Sequence, residues 1–213
     1  MELINFLARW GHLLFGITWI GMLYYFNFIQ GGYFKQASPE ALKDAKAKLA
    51  PEALWWFRWG AMFTFITGVI LLIGMIKTTG LNGYIVAGVA LGTLMFLNVW
   101  LVIWPNQKIA LGLVEGGDAP TSAAKALLAS RTNTLFSGSM AFFMLASGHL
   151  GALGGAGYAS DTFGTDLIVV LAIVAALEVN ALVGKQGPMT TVRGVITCSM
   201  VLTAVLAGVF VAV

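Results

Sequence analysis

Between Tyr84 and Trp104 the chain runs without a single charged residue. A helix that crosses a bilayer needs roughly 20 apolar residues, and this stretch supplies them. Five more stretches read the same way: about Ile4 to Ile29, the run that follows Trp55-Trp56-Phe57-Arg58-Trp59 to about Ile76, about Asn133 to Leu153, about Leu167 to Val183, and about Val192 to Val213. Over 213 residues the chain is 59% hydrophobic and only 10% charged, with a mean hydropathy of +0.87. Soluble domains are nearer half apolar and a quarter charged. The expected fold is therefore all-α: an integral membrane helix bundle of about six spans, forming one transmembrane domain over residues 1–213.

Two connecting segments read as short helices. Ser38-Pro39-Glu40 offers an N-cap and a proline at the first helical position, and the Ala- and Lys-rich residues to Leu49 favour helix. Gly116-Gly117-Asp118-Ala119-Pro120-Thr121 reads as a turn followed by a helix. Pro105 is expected to end the third span, and Gly88 and Gly92 form a small-xxx-small face suited to close helix packing. The N-terminus begins with Glu2 rather than a basic cluster, its apolar run is long and no A-x-A site follows. It reads as a retained span rather than a signal peptide.

Charge sets the expected orientation. With six spans, one side of the membrane carries Arg9 and Lys77, and the other carries the remaining ten of the twelve basic residues. The positive-inside rule puts both termini on the periplasmic side of a bacterial inner membrane and both connecting helices on the cytoplasmic side. The same distribution accounts for the net charge of +3 without nucleic acid as a partner. The single cysteine, Cys198, excludes an intramolecular disulfide and a covalent C-x-x-C-H haem site.

Only two histidines occur, His12 and His149, and both fall in apolar segments. Polar groups inside a membrane are expensive, which makes such residues functional candidates by default. On the six-span topology both lie in the outer half of the membrane, on different helices. Two imidazoles so placed suit the axial ligation of a b-type haem. Gly16, one turn after His12, leaves room for a porphyrin face, and Arg9, one turn before it, could pair with a propionate. The plainer alternative is a hydrogen-bonded structural role for each histidine. Zinc lacks a third or fourth His or Cys ligand.

Glu178 is the one acid within an apolar core and reads either as a proton carrier or as a partner of Arg131, Arg58 or a nearby asparagine. Asn98 and Asn180 are further polar candidates within spans, with interhelical hydrogen bonding as their plainer role. The Trp55–Trp59 cluster reads as an interfacial anchor, with cofactor stacking as the minor alternative. Gly154-Gly155-Ala156-Gly157 follows a helix and is not a dinucleotide fingerprint.

Several blocks resemble the membrane domain of the PuuD-type urate oxidases: Gly11-His12 with Gly16-Ile17-Thr18-Trp19-Ile20-Gly21 and Tyr24-Tyr25-Phe26-Asn27; Asn98-Val99-Trp100 with Trp104-Pro105-Asn106-Gln107-Lys108; Ser130-Arg131-Thr132-Asn133-Thr134; and Leu177-Glu178-Val179-Asn180-Ala181. That family joins such a domain to a C-terminal cytochrome c, which receives electrons from urate. The present sequence has no C-x-x-C-H, so the resemblance implies transfer to a separate cytochrome, or a place in a larger complex. More loosely, His12, Gly16 and Trp19-Ile20-Gly21 are similar to the first span of the HemJ-type haem membrane proteins. The leading expectation is thus a membrane-embedded haem b protein that moves electrons from a reduced donor, urate or a quinol, to a cytochrome or respiratory complex, either as a urate-oxidase-like oxidoreductase or as an electron-transfer subunit, with a homo-oligomer left open. A non-catalytic accessory subunit of a larger membrane complex is the alternative, and a small transporter the third.

Overall fold

Every regular element of the computed structural model, which describes residues 2–150 and 164–212, is helical. The elements are α1 (Glu2–Tyr24), a π-helical segment π1 (Tyr25–Gln30), α2 (Gly31–Gln36), α3 (Pro39–Asp44), π2 (Ala45–Leu49), α4 (Ala50–Lys77), α5 (Gly83–Leu97), π3 (Asn98–Ile103), α6 (Trp104–Ala110), α7 (Ala119–His149), α8 (Thr165–Val183), a 3-10 turn (Gly187–Thr190) and α9 (Val192–Ala212). Five continuous helical runs are long and apolar enough to cross a membrane: Glu2–Gln36, Pro39–Lys77, Gly83–Ala110, Thr165–Val183 and Val192–Ala212. The protein is a multi-pass, all-α membrane protein.

The fourth expected span falls in α7. Its 31 residues are long enough to cross, at about 46 Å, but its described part is rich in polar residues. Ser130, Arg131, Thr132, Asn133, Thr134, Ser137 and Ser139 are all buried. A helix sheathed by protein need not present an apolar surface to lipid, so its hydropathy falls below that of its neighbours. The expected end at Leu153, the loop Gly151 to Gly157 and Asp161 lie outside the described residues.

Both connecting segments are helical, and each runs without a break into the span that follows. Ser38 caps α3 through its hydroxyl, which accepts from the Ala41 N–H at 3.3 Å, with Pro39 at the first turn. The run then passes through π2 and across Pro51, in the first turn of α4, and continues to Lys77. The first span likewise runs past Ile29 and through Gly31-Gly32 to Gln36. Gly116 and Gly117 adopt positive φ (86° and 88°) ahead of Asp118, whose carboxylate accepts from the Thr121 N–H. Pro105 does not stop the third span. It sits in the first turn of α6, directly after π3. A proline ring ordinarily clashes with the carbonyl four residues earlier. The wider π turn shifts that carbonyl's register, and the chain stays helical.

The chain forms two compact units, one of Met1–Gly74 with Phe96–Ser130 and the other of Met75–Met95 with Arg131–Val213. In the first, α1 and α4 pack antiparallel along one seam. A Cβ on Gly60 would stand 3.1 Å from the Trp19 backbone nitrogen, one on Gly68 3.1 Å from His12 Cε1, and one on Gly74 3.1 Å from Asn5 Oδ1. Gly60, Thr64 and Gly68 therefore make a stripe of small residues that lets the two backbones approach. The other side of α1 is apolar and outward: Leu3, Phe6, Leu13 and Ile17 are each more than 60% exposed. Such a face suits lipid rather than water.

In the second unit α7 packs against α5 and α9. Gly88 and Gly92, the expected small face of α5, lie against Met144 and Met140 of α7. Asn133 donates to the Met95 carbonyl at 2.9 Å, and Asn82 to the Ser147 carbonyl at 3.0 Å. On the side toward α9, Ser139 and Thr203 hydrogen-bond at 3.0 Å, and Tyr84, Phe143 and Phe210 form an aromatic cluster. Bonds of this kind hold transmembrane helices together where lipid removes the hydrophobic drive between them.

The seam gives a direct expectation. Gly60→Leu, which drives a branched side chain into the Trp19 backbone, should destabilise the first unit by about 1–3 kcal/mol. Thermal unfolding in detergent measures the loss. Gly21→Leu, at a site with open space around it, should change stability much less.

Candidate functional site

His12 is half-buried on α1, with its imidazole lying against α4. Its Nδ1 is 2.9 Å from the Thr64 carbonyl oxygen and 3.3 Å from Thr67 Oγ1. A carbonyl only accepts, so the neutral ring carries its proton on Nδ1 and donates it there. Thr67 donates its own hydroxyl to the Phe63 and Thr64 carbonyls, at 2.6 and 3.0 Å, which leaves its oxygen to face the imidazole as an acceptor. Gly68 has no side chain, and the edge of the ring occupies that space. His12 Nε2 has no hydrogen bond to any described residue.

His149 closes α7 and is exposed. Its Nδ1 lies 3.0 Å from the Leu145 carbonyl oxygen, one turn back. The same reasoning puts the proton on Nδ1 and leaves Nε2 bare. The two histidines, one in each unit, thus share one arrangement: Nδ1 is tied to a helix carbonyl and Nε2 keeps its lone pair.

The remaining expected residues fall in several places. Arg9 is exposed and pairs with no described residue. Gly16 faces Thr64 Cγ2 at ordinary contact distance, on the α1–α4 seam, while Gly148, beside His149, has open space around it. Asn98 is buried at 1% exposure within π3. Glu178 is half-buried on α8. Asn180 closes the C-terminus of α8: its side chain donates to the Lys185 carbonyl and accepts from the Lys185 N–H. A Cβ on Gly184 would collide with the Asn180 side chain, so glycine is required there. Arg131 donates weakly to the Thr191 carbonyl at 3.5 Å. Among the described residues no three of His, Cys, Asp and Glu gather as a metal site.

Two features of the first unit were not singled out from the sequence. The first is the set of α4 residues that hold His12. The four-residue spacing of Gly60, Thr64 and Gly68 was the available signal, being the same small-residue pattern read at Gly88 and Gly92. The second is a small, largely apolar cavity of about 80 Å³, onto which Asn27, Gln107 and Ser130 open beside Phe26, Phe57 and Leu127. Asn27 is buried in π1 at 3% exposure. Its amide donates to the Leu23 carbonyl and to Ser130 Oγ, and its Oδ1 has no partner among the described residues. A cavity of that size has room for water, which would satisfy the free oxygen.

Comparison of the chain with protein-family models, with curated proteins and with solved structures finds no match.

With only two histidines in the chain, the tautomer can be measured directly. In 15N-histidine-labelled protein at a pH where the rings are neutral, both imidazoles should show a protonated Nδ1 and an unprotonated Nε2. Gly68→Val should push the His12 ring off α4 and shift its signals while leaving those of His149 in place.

Proposed function

We propose that the chain is a membrane-embedded b-type haem protein that passes electrons from a reduced donor to a cytochrome or respiratory complex, and that His12 and His149 are the residues that would hold the haem iron. The observation that carries this reading is the common state of the two rings. A ligating histidine nearly always donates its other ring N–H to a carbonyl, carboxylate or water, which fixes the tautomer and raises ligand basicity. Both Nδ1 atoms are bonded in this way, to the Thr64 and Leu145 carbonyls. The donor set fits iron in a haem, which takes two neutral imidazoles and draws its other four ligands from the porphyrin. When bound, the haem would supply the one-electron chemistry.

The chain's own residues do the holding. Thr64 and Thr67 orient the His12 imidazole, and Gly68 leaves it space. Arg9, exposed and unpaired among the described residues, is available to a propionate carboxylate. Its charge would lower the energy of that group near the membrane surface. The donor is urate or a quinol on the resemblance noted above, and the basic side of the molecule faces the cytoplasm of a bacterial inner membrane on the positive-inside rule.

A dithionite-reduced minus oxidised absorption spectrum of the purified protein tests the reading. A sharp α-band in the b-type range, with haem at stoichiometric amount, is the expected outcome. His12→Ala and His149→Ala should each abolish that low-spin spectrum, and Thr64, whose contribution is a backbone carbonyl, should tolerate Thr64→Ser with little change. A flat spectrum from folded protein, or an unaltered one from either alanine variant, sinks the proposal.

A further inference from the structure

Arg58 of α4 and Lys108 of α6 converge on one indole ring, that of Trp104 at the start of α6. Arg58 stacks over Trp104 with its guanidinium carbon 3.3 Å from the ring centroid. Lys108 Nζ lies 5.6 Å from the same centroid. Among the described residues neither cation has an ion-pair partner. Arg58 Nη1 is buried and makes no hydrogen bond to any described residue. Cation–π attraction to Trp104 offsets part of this, but it provides no acceptor for the N–H groups.

Beside Arg58 opens a groove of about 500 Å³ lined by Pro51, Glu52, Trp55, Trp56 and Arg58. Trp55 and Trp56 are 46% and 56% exposed and pack edge to face, 5.1 Å between centroids. Indoles exposed in this way belong at the headgroup level of a bilayer. Glu52 is the one acid of the groove, and it leaves Arg58 unpaired.

The missing partner is an anion with several acceptor oxygens, to which a guanidinium presents two parallel N–H groups and an ammonium a point charge. The exposed indole wall selects among such anions. A free phosphate would gain nothing from it, whereas a lipid can lay its glycerol and upper acyl chain along it. We propose that Arg58 and Lys108, which Trp104 holds in place, bind the phosphate of an anionic phospholipid, with the lipid body lying along Trp55 and Trp56. Basic pockets between membrane helices recognise anionic headgroups by this chemistry. The site involves neither histidine and does not rest on the haem reading.

The test is native mass spectrometry of the full chain, delipidated in a neutral detergent and offered equimolar dioleoyl phosphatidylglycerol and dioleoyl phosphatidylcholine. The wild type should retain phosphatidylglycerol in preference. Arg58→Gln and Lys108→Gln should each lower its retention about fivefold, equivalent to ~1 kcal/mol per charge, and leave phosphatidylcholine unchanged. Glu52→Gln should raise it. Millimolar inorganic phosphate should not displace the lipid. If it does, the site takes free phosphate and the lipid assignment fails. Equal retention of the two lipids by the wild type overturns the proposal without recourse to any variant, which covers the case in which a charge variant does not fold. Folded variants, checked by circular dichroism, that keep the wild-type preference overturn it as well.

Discussion

The first unit depends on the approach of α4 to α1 at Gly60, where a single added carbon would meet the Trp19 backbone at 3.1 Å. Within lipid, helices gain nothing from burying apolar surface against one another, because the tails are as apolar as the side chains. What remains is dispersion at short range and the occasional hydrogen bond, and both need close backbones. Gly60, Thr64 and Gly68 supply the closeness. The hydrogen bond from His12 to the Thr64 carbonyl exists only because the two helices lie that near. The same small residues that pack the unit therefore also set the tautomer of its histidine.

The second unit solves the same problem with polar groups. The Asn133 bond to the Met95 carbonyl and the Ser139–Thr203 pair lie inside the unit, where no water competes for them. The polar residues of α7 are concentrated on surfaces that other helices cover. That explains why the most polar of the long helices is also among the most buried. In the membrane, as in water, a buried polar atom needs a partner, and Asn27 Oδ1, which has none among the described residues, stands at a cavity that can admit water.

Much of this is legible in the amino-acid sequence. The apolar runs, the Ser38 cap, the Gly116-Gly117 turn and the Gly88/Gly92 face all follow from local rules, and each reads correctly from a few adjacent residues. The continuity of the helices is not. A stop at Pro105 is sound for an α-helix, but the π turn over Asn98–Ile103 changes the register of the carbonyls, and nothing in residue type announces a π turn. The histidines could be singled out as rare polar groups in apolar runs. Their partners could not, since His12 is bonded to a backbone carbonyl 52 residues away, and a carbonyl has no signature in the sequence. The neighbour of Gly16 across the helix seam, Thr64, is likewise 48 residues away and has no local signature. Asn180 lies within the fifth apolar run, as expected, and the bonds it makes to Lys185 at the end of α8 depend on the turn geometry that follows.

The Arg58–Trp104 stack also bears on how the protein meets membranes of different thickness. From Arg58 to Lys77, the next charge along the same helix, the chain rises about 28 Å, close to the roughly 30 Å hydrocarbon depth of an average bilayer. The helical run begins well before Arg58, at Pro39, and ends at Lys77, so at the Arg58 end the apolar stretch is bounded by a charge and not by the end of the helix. That charge is pinned by an indole and cannot snorkel freely. When the bilayer thins or thickens, the mismatch must be taken up at the Lys77 end, or by tilt of the whole helix.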